Sequence, residues 1–164
     1  MIDSKELKKL NKDLYKIGNK LADTVEKLPL GITQKLAAGA MLIRNTIIES
    51  MREKKHGLLY KRGKKFHQAS APGEAPAIDR GEGVRSITFD VRPWEIEIGT
   101  DGGAPYLAML EGGTAKLFEN VGLVGELIEQ RPWLGPAVEK HHKEIIYDVG
   151  EEAFKILKKP FNGI

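Results

Sequence analysis

Along residues 4–28, Leu7, Leu10, Leu14, Ile17, Leu21 and Val25 recur at steps of three and four. That spacing gathers them on one helix face, in a seam close to a heptad, with Lys, Asp and Glu on the other faces. Asp3 or Ser4 is placed to cap the start, and Pro29 and Gly31 read as the stop. A second helix is expected over 33–55, capped by Thr33, with Leu36, Ala40, Ile43, Ile47 and Met51 as its stripe. The small residues 37–40 invite a close helix approach, and Lys54 and Lys55 suit the negative helix end. Residues 56–83 show no period and read as a long, mobile loop.

From 84 the period changes to two. In "VRSITFDV" Ile87, Phe89 and Val91 alternate with Ser86, Thr88 and Asp90; in "WEIEIGT" Trp94, Ile96 and Ile98 alternate with Glu95 and Glu97. Two half-buried strands follow, joined at Arg92-Pro93 into an antiparallel hairpin over 84–99. Residues 106–111 read as a short helix or an extended edge, and 115–131 stay ambiguous. Pro136 opens a last helix over 135–158 whose stripe is Val138, His142, Ile145, Val149, Ala153 and Ile156, and Pro160 ends it. The expectation is an α+β single domain over 1–164. Its antiparallel β-sheet, the hairpin 84–99 plus additional strands within 84–131, packs against two or three long α-helices and carries a long basic loop. Two strands alone make no stable sheet, so further pairing is expected from 103–122, from 56–83 or from a neighbouring subunit.

Charge changes this picture more than composition does. The 164 residues carry a formal charge of only +3, but 52–65, "REKKHGLLYKRGKK", hold seven Lys or Arg against one Glu. Glu95, Glu97, Glu111, Glu119, Glu126 and Glu129 collect elsewhere. A surface polarised in this way suits docking onto a charged partner. Lys54, Lys55, Lys61, Arg62, Lys64 and Lys65, interleaved with Tyr60 and Phe66, form the candidate contact to DNA phosphates or to a protein partner. The absence of cysteine excludes a disulfide scaffold and a thiol nucleophile. No apolar leader opens the chain and no run of about 20 apolar residues exists, so no membrane role and cytoplasmic synthesis are expected.

The motifs of chemistry are missing. His141 and His142 are adjacent, about 100° apart on a helix, and so are poorly placed to share a metal. "GTDGGAP" lacks the GK[ST] ending of a phosphate loop and reads as a turn. No G-x-S-x-G is present. The expectation is a non-enzymatic protein without cofactor, metal or small-molecule substrate. The helical seam at Leu7–Val25 packs either on its own domain or as an intersubunit coiled coil.

Three segments occur in a telling order: "SAPGEAPAIDRGEGVRSI" at 70–87, "YLAMLEGGT" at 106–114 and "RPWLGPAVEKHHKEI" at 131–145. Over roughly 33–155 the chain resembles the neck, or head-tail joining and tail-completion, minor virion proteins of long-tailed bacteriophages and prophages. The matching positions are Asp79, Gly81, Ser86 and Ile87; then Tyr106, Glu111, Gly113 and Thr114; then Arg131, Pro132, Trp133, Leu134, Pro136, Ala137 and Val138. Arg80, Gly83 and Gly112 depart from the usual Thr, Leu and aromatic residue, and the stretch between Thr114 and Arg131 is longer than in many relatives. The resemblance implies a structural protein in a homo-oligomeric ring at the head-tail junction of the virion, made in the host bacterial cytoplasm. Its partners would be head-closure or adaptor proteins and tail-terminator or tail-tube proteins, with non-specific contact to packaged DNA. The alternative is a free, non-specific nucleic-acid-binding protein using 52–65. Within the first reading, Asp79 and Gly81 form a turn that launches the hairpin. Glu111 pairs with Arg131, within one subunit or between two, while Trp133 and Leu134 anchor the last helix on the hairpin. The loop 56–77 orders on assembly or lines the DNA channel.

Overall fold

A computed structural model describes residues 4–113 and 128–159. Within them the first apolar stripe does not stop at proline. Helix α1 runs unbroken over Ser4–Arg52 with Pro29 inside it. The two expected helices are therefore one, ending at Arg52 and not at 55. An interior proline removes one backbone bond and costs about 3 kcal/mol. The helix persists because its core face crosses that point: Leu28 packs on the core and Ile32 is fully buried. Thr33 caps nothing; its hydroxyl donates to the Pro29 carbonyl at 2.8 Å.

Gly31 is no terminator either. A Cβ there would run into the Ile156 Cδ1, and one on Gly39 would lie 2.7, 2.9 and 3.0 Å from the Cγ1, Cδ1 and Cγ2 of Ile145. Both glycines admit the last helix, which runs antiparallel to α1 and is the main partner of its second half. Its stripe holds Ile145, Val149, Ala153 and Ile156 as expected and shifts by one residue only in its first two turns. His141, not His142, is buried, with Ala137, Ile145 and Ile156, while Val138 is exposed. The phase follows Thr46, whose hydroxyl meets His141 Nε2 at 2.8 Å and satisfies the ring inside the contact.

The segment 56–83 is not structureless. Strands β1 (Leu59–Arg62) and β2 (Lys65–Gln68) form an antiparallel hairpin that pairs Leu59 with Gln68 and Arg62 with Lys65. It is continued by bonds between Ala69 N and the Leu58 carbonyl, and between Gly57 N and the Ala69 carbonyl. "APGE" then makes a turn, with Glu74 N bonded to the Ala71 carbonyl and Gly73 at φ 81°, the proline-then-glycine signature of a type II turn.

Residues 84–86, expected to begin the first strand, instead join the end of the expected loop in the short helix α2 (Glu82–Ser86) behind Gly81 at φ 78°. Strands β3 (Ile87–Arg92) and β4 (Glu95–Thr100) pair antiparallel, Ile87 with Thr100 and Arg92 with Glu95. Ile87, Phe89, Val91, Ile96 and Ile98 take the inner face, as the period of two requires. Trp94 does not join them. It lies in the two-residue turn after Pro93 with φ 73°, the one non-glycine residue at positive φ among those described. The architecture is mixed α+β, but each antiparallel sheet has two strands, and among the described residues neither gains a third. Helices α3 (Tyr106–Gly112) and α4 (Gly135–Lys158) complete it. One core joins Ile32, Leu36, Ile43, Ile47 and Met51 of α1 to Ile87, Leu107, Trp133 and Ile145.

Candidate functional site

The three motif segments meet at the junction of α3 and α4. Leu134 holds the N-cap position of α4 and offers no capping side chain, and Pro136 has no N–H. The open donors are taken from a distance. Glu111, at the end of α3, accepts the backbone N–H of Trp133 at 2.6 Å and of Leu134 at 2.9 Å on one oxygen, and that of Gly135 at 2.8 Å on the other. A carboxylate at a helix N-terminus also meets the positive end of the dipole. The buried Trp133 donates its indole N–H to the Leu107 carbonyl at 2.9 Å. That bond is to α3, so Trp133 seats the last helix on α3 where the hairpin was expected.

The Glu111–Arg131 pair is not made. Arg131 donates its backbone N–H to the Leu110 carbonyl at 2.7 Å and its Nε to the Ser70 carbonyl at 3.2 Å. Gly73 N bonds the Gln130 carbonyl at 2.8 Å. The segment leading into α4 therefore ties to the turn at 70–74 as well as to α3. That turn is itself pinned by Glu74, whose carboxylate accepts from Ala71 N at 2.8 Å and His56 N at 3.1 Å and meets His56 Nδ1 at 2.5 Å. Nothing in the sequence singles out Glu74 except its place after Pro72-Gly73.

These bonds hold the Glu74 carboxyl at about 2, below its ordinary 4.5, first through the Ala71 amide and then through His56. A depressed folded-state pKa supplies stability above 4.5 that is lost as pH falls through about 2. Acidification should therefore loosen this turn only below pH 4.5. In an amide NMR titration the Ala71 and His56 resonances should move together with a midpoint near 2; a midpoint at the ordinary glutamate value would exclude the clasp.

Beside this junction lies a cavity of about 390 Å³, bounded by the basic hairpin, the 76–84 segment, α3 and Arg131. It gathers Asp79, Gly81, Tyr106 and Arg131 from all three motifs. Asp79 approaches His67 Nδ1 to 3.8 Å, and Tyr60 stacks edge-on to His67 at 5.2 Å. Gly81 starts α2, so the turn launches a helix before the strand. Ser86, buried, bonds the Gly83 carbonyl, and Ile87 is core. Gly113 closes α3 at φ 69°. Thr114 lies outside the described residues.

The six candidate cations separate. Lys54, Lys61, Lys64 and Lys65 are exposed, and Arg62 belongs to β1. Lys55 is 7% exposed and donates to the Ser50 carbonyl at 2.6 Å, closing the C-terminus of α1. Burial pushes its pKa down against the pull of Glu53 and Glu74. Its role is capping, and it leaves the set of candidate contact residues. On the other hairpin Arg92 holds Asp90 and Glu97 at 3.0 Å each, an exposed network that leaves a net acidic face with Glu95. Such exposed pairs add little stability.

From Leu14 to Val25 the N-terminal seam is not packed on its own domain. Leu14 is 57% and Val25 62% exposed, with Leu21 exposed and Ile17 half-buried. Residues 4–27 span roughly 36 Å of helix before the stretch where α4 pairs with Gly31. Among the described residues no three His, Cys, Asp or Glu side chains gather as a metal site, and no helix is long and apolar enough to cross a membrane. Comparison with family models, curated proteins and solved structures finds no match to this chain.

Proposed function

We propose that the chain is a structural protein of the head-tail junction of a tailed phage, assembling with copies of itself into a ring that joins or completes the tail. The observation that carries this reading is the convergence of the three motif segments. Positions as far apart as Ser70 and Arg131 are bonded into one junction that fixes α3, α4 and the 70–74 turn together. What that junction presents outward is binding surface: a cationic hairpin, an acidic hairpin and an exposed apolar helical seam. Two unlike patches per copy are what a closed ring of head-to-tail contacts requires. Function then lies in surfaces and not in turnover, and the neighbours are head-closure and tail-terminator or tail-tube proteins.

A second reading, a free protein that binds nucleic acid without sequence preference, draws on the exposure of Lys61, Lys64, Lys65 and Phe66 on one hairpin. One experiment has an arm for each. Purified particles of the phage or induced prophage carrying the gene should hold a few copies at the neck, and particles made without the protein should lack joined tails. Absence from particles with normal joining overturns the first reading. In the second arm Lys54, Lys61, Lys64 and Lys65 become Ser. Lost, salt-sensitive DNA retention with joining intact would assign the hairpin to phosphate contact.

A further inference from the structure

Two features remain unused by the junction: a tryptophan held where tryptophan does not belong, and an open cavity beside a cationic hairpin. Trp94 sits at the tip of β3–β4 with φ 73° and is 60% exposed. Positive φ is strained for a bulky residue, and glycine or asparagine is the usual occupant of that turn position. An exposed indole at such a site gains nothing for the isolated fold. Buried tryptophan is, however, among the strongest anchors of protein interfaces. The strands below it carry Asp90, Glu95 and Glu97 against Arg92, a net charge of −2 by −3 + 1. The tip is thus an apolar knob on an acidic stalk.

The cavity has the complementary form. Its volume of about 390 Å³ falls within the roughly 300–1,000 Å³ of small-ligand pockets. Its floor is apolar, from buried Met51 and Leu107 with half-buried Leu110, and Tyr60 and Tyr106 flank it. On the lining Asp79 and Glu82 are balanced by Arg80 and Arg131, so the sign is set by the hairpin that supplies Tyr60 and His67. That hairpin holds Lys61, Arg62, Lys64 and Lys65, a charge of +4. Trp94 does not line its own chain's cavity.

We propose that the Trp94 tip of one copy seats in this cavity of a second copy, with its acidic stalk against the second copy's basic hairpin. The contact is heterologous: each copy offers one knob and one hole, so the association propagates and closes into a ring or runs on. This deepens the assembly reading given above and rests on it, naming the two patches by which copies meet.

The test uses the full chain in sedimentation velocity over a concentration series, with two variants. Trp94→Gly removes the knob, leaves the hole, and relieves the backbone, so its melting temperature should not fall. Lys65→Glu with Arg80→Glu reverses an exposed charge on the hairpin face that carries Tyr60 and His67 and another on the cavity lining, and leaves the knob. The wild type should grow past the dimer as concentration rises, and its exposed-Trp94 fluorescence should shift to shorter wavelength over the same range. Each variant alone should stay monomeric. Mixed in equal amounts, the two should form dimers and stop there, because only one productive contact exists between them.

Undiminished assembly of Trp94→Gly overturns the contact and leaves self-assembly standing on other surfaces. A rim-reversed variant that assembles like the wild type but no longer retains DNA also overturns it, and gives those cations to phosphate. A wild type that stays monomeric throughout overturns it too, while the neck reading is decided separately by particle composition.

Discussion

Replacing Glu111 with Ala should lower the stability of the chain by about 2–4 kcal/mol, a fall of roughly 6–12 °C in melting temperature at the middle of that range. The carboxylate accepts three backbone amides at 2.6–2.9 Å. A single N-cap side chain is worth about 0.5–2 kcal/mol, and hydrogen bonds to charged groups about 1.5–3 each. Water reaches the exposed Gly135 amide and recovers part of the loss, so the sum stays well below three full bonds. The Trp133 and Leu134 amides are less easily rehydrated, because the buried indole beside them closes that side. Glu111→Gln keeps one acceptor oxygen and should lose about half as much. Glu111→Asp is one methylene short of all three amides and should resemble the alanine variant.

The same substitution separates the observed cap from the charge pair with Arg131 that residue types alone suggest. Since the Arg131 guanidinium is spent on the Ser70 and Glu129 carbonyls, the cost of Glu111→Ala should be unchanged in an Arg131→Ala background, within the ~0.5 kcal/mol expected of uncoupled sites. A coupling well above that, or a Glu111→Ala protein that melts with the wild type, would remove the cap from the account.

The contrast between pair and cap shows what was legible before the structure. Periodicity located the helical stripes, the period-two hairpin and its inner face, because those patterns report burial directly. It failed where a local rule was overruled from a distance. Pro29 and Gly31 read as a helix end, yet Leu28 and Ile32 on either side belong to one core face. In α4 only Val138 and His142 fall one residue off the buried stripe, because His141 looks polar until Thr46 is found opposite its ring. In 56–83 the strands are four residues long, and Leu59, Tyr60 and Phe66 are exposed like Lys61 and Lys65, so no burial period marks them. "APGE" did carry a turn signal, unread among its neighbours. Of the candidate site, the residues were identifiable but their bonds were not: Glu111 and Arg131 both matter to the junction, through different partners. Trp94 falls in phase with Ile96 and Ile98 and so reads as core, but its place in the turn, at positive φ and 60% exposed, takes it out.

The glycines of α1 put that long-range override to the test. Gly39→Leu should destabilise the chain by about 2–3 kcal/mol, although leucine is the better helix former by up to about 1 kcal/mol. Inserting carbon into a packed interface costs typically 1–3 kcal/mol and more where nothing can yield. Here three carbons of Ile145 stand 2.7–3.0 Å from the new Cβ, including Cγ1 and Cγ2 at its branch, so rotating its tip does not clear the space. Gly31 differs: its nearest obstacle is the terminal Cδ1 of Ile156, which can swing, so Gly31→Ala should be close to neutral. Gly18, in the same helix with nothing within 4 Å, provides the baseline; Gly18→Ala should add up to about 1 kcal/mol from propensity alone. Ile145→Ala should itself cost about 2–5 kcal/mol through the cavity it leaves. Combined with Gly39→Leu, each change fills the defect of the other. The double variant should then be more stable than the sum of the two losses by roughly 2 kcal/mol, within the range of contacting residues. Chemical denaturation of the four proteins measures this directly. Strict additivity would mean that α1 and α4 do not meet at Gly39 and Ile145, and with that the continuous α1 that carries the N-terminal seam would lose its main support.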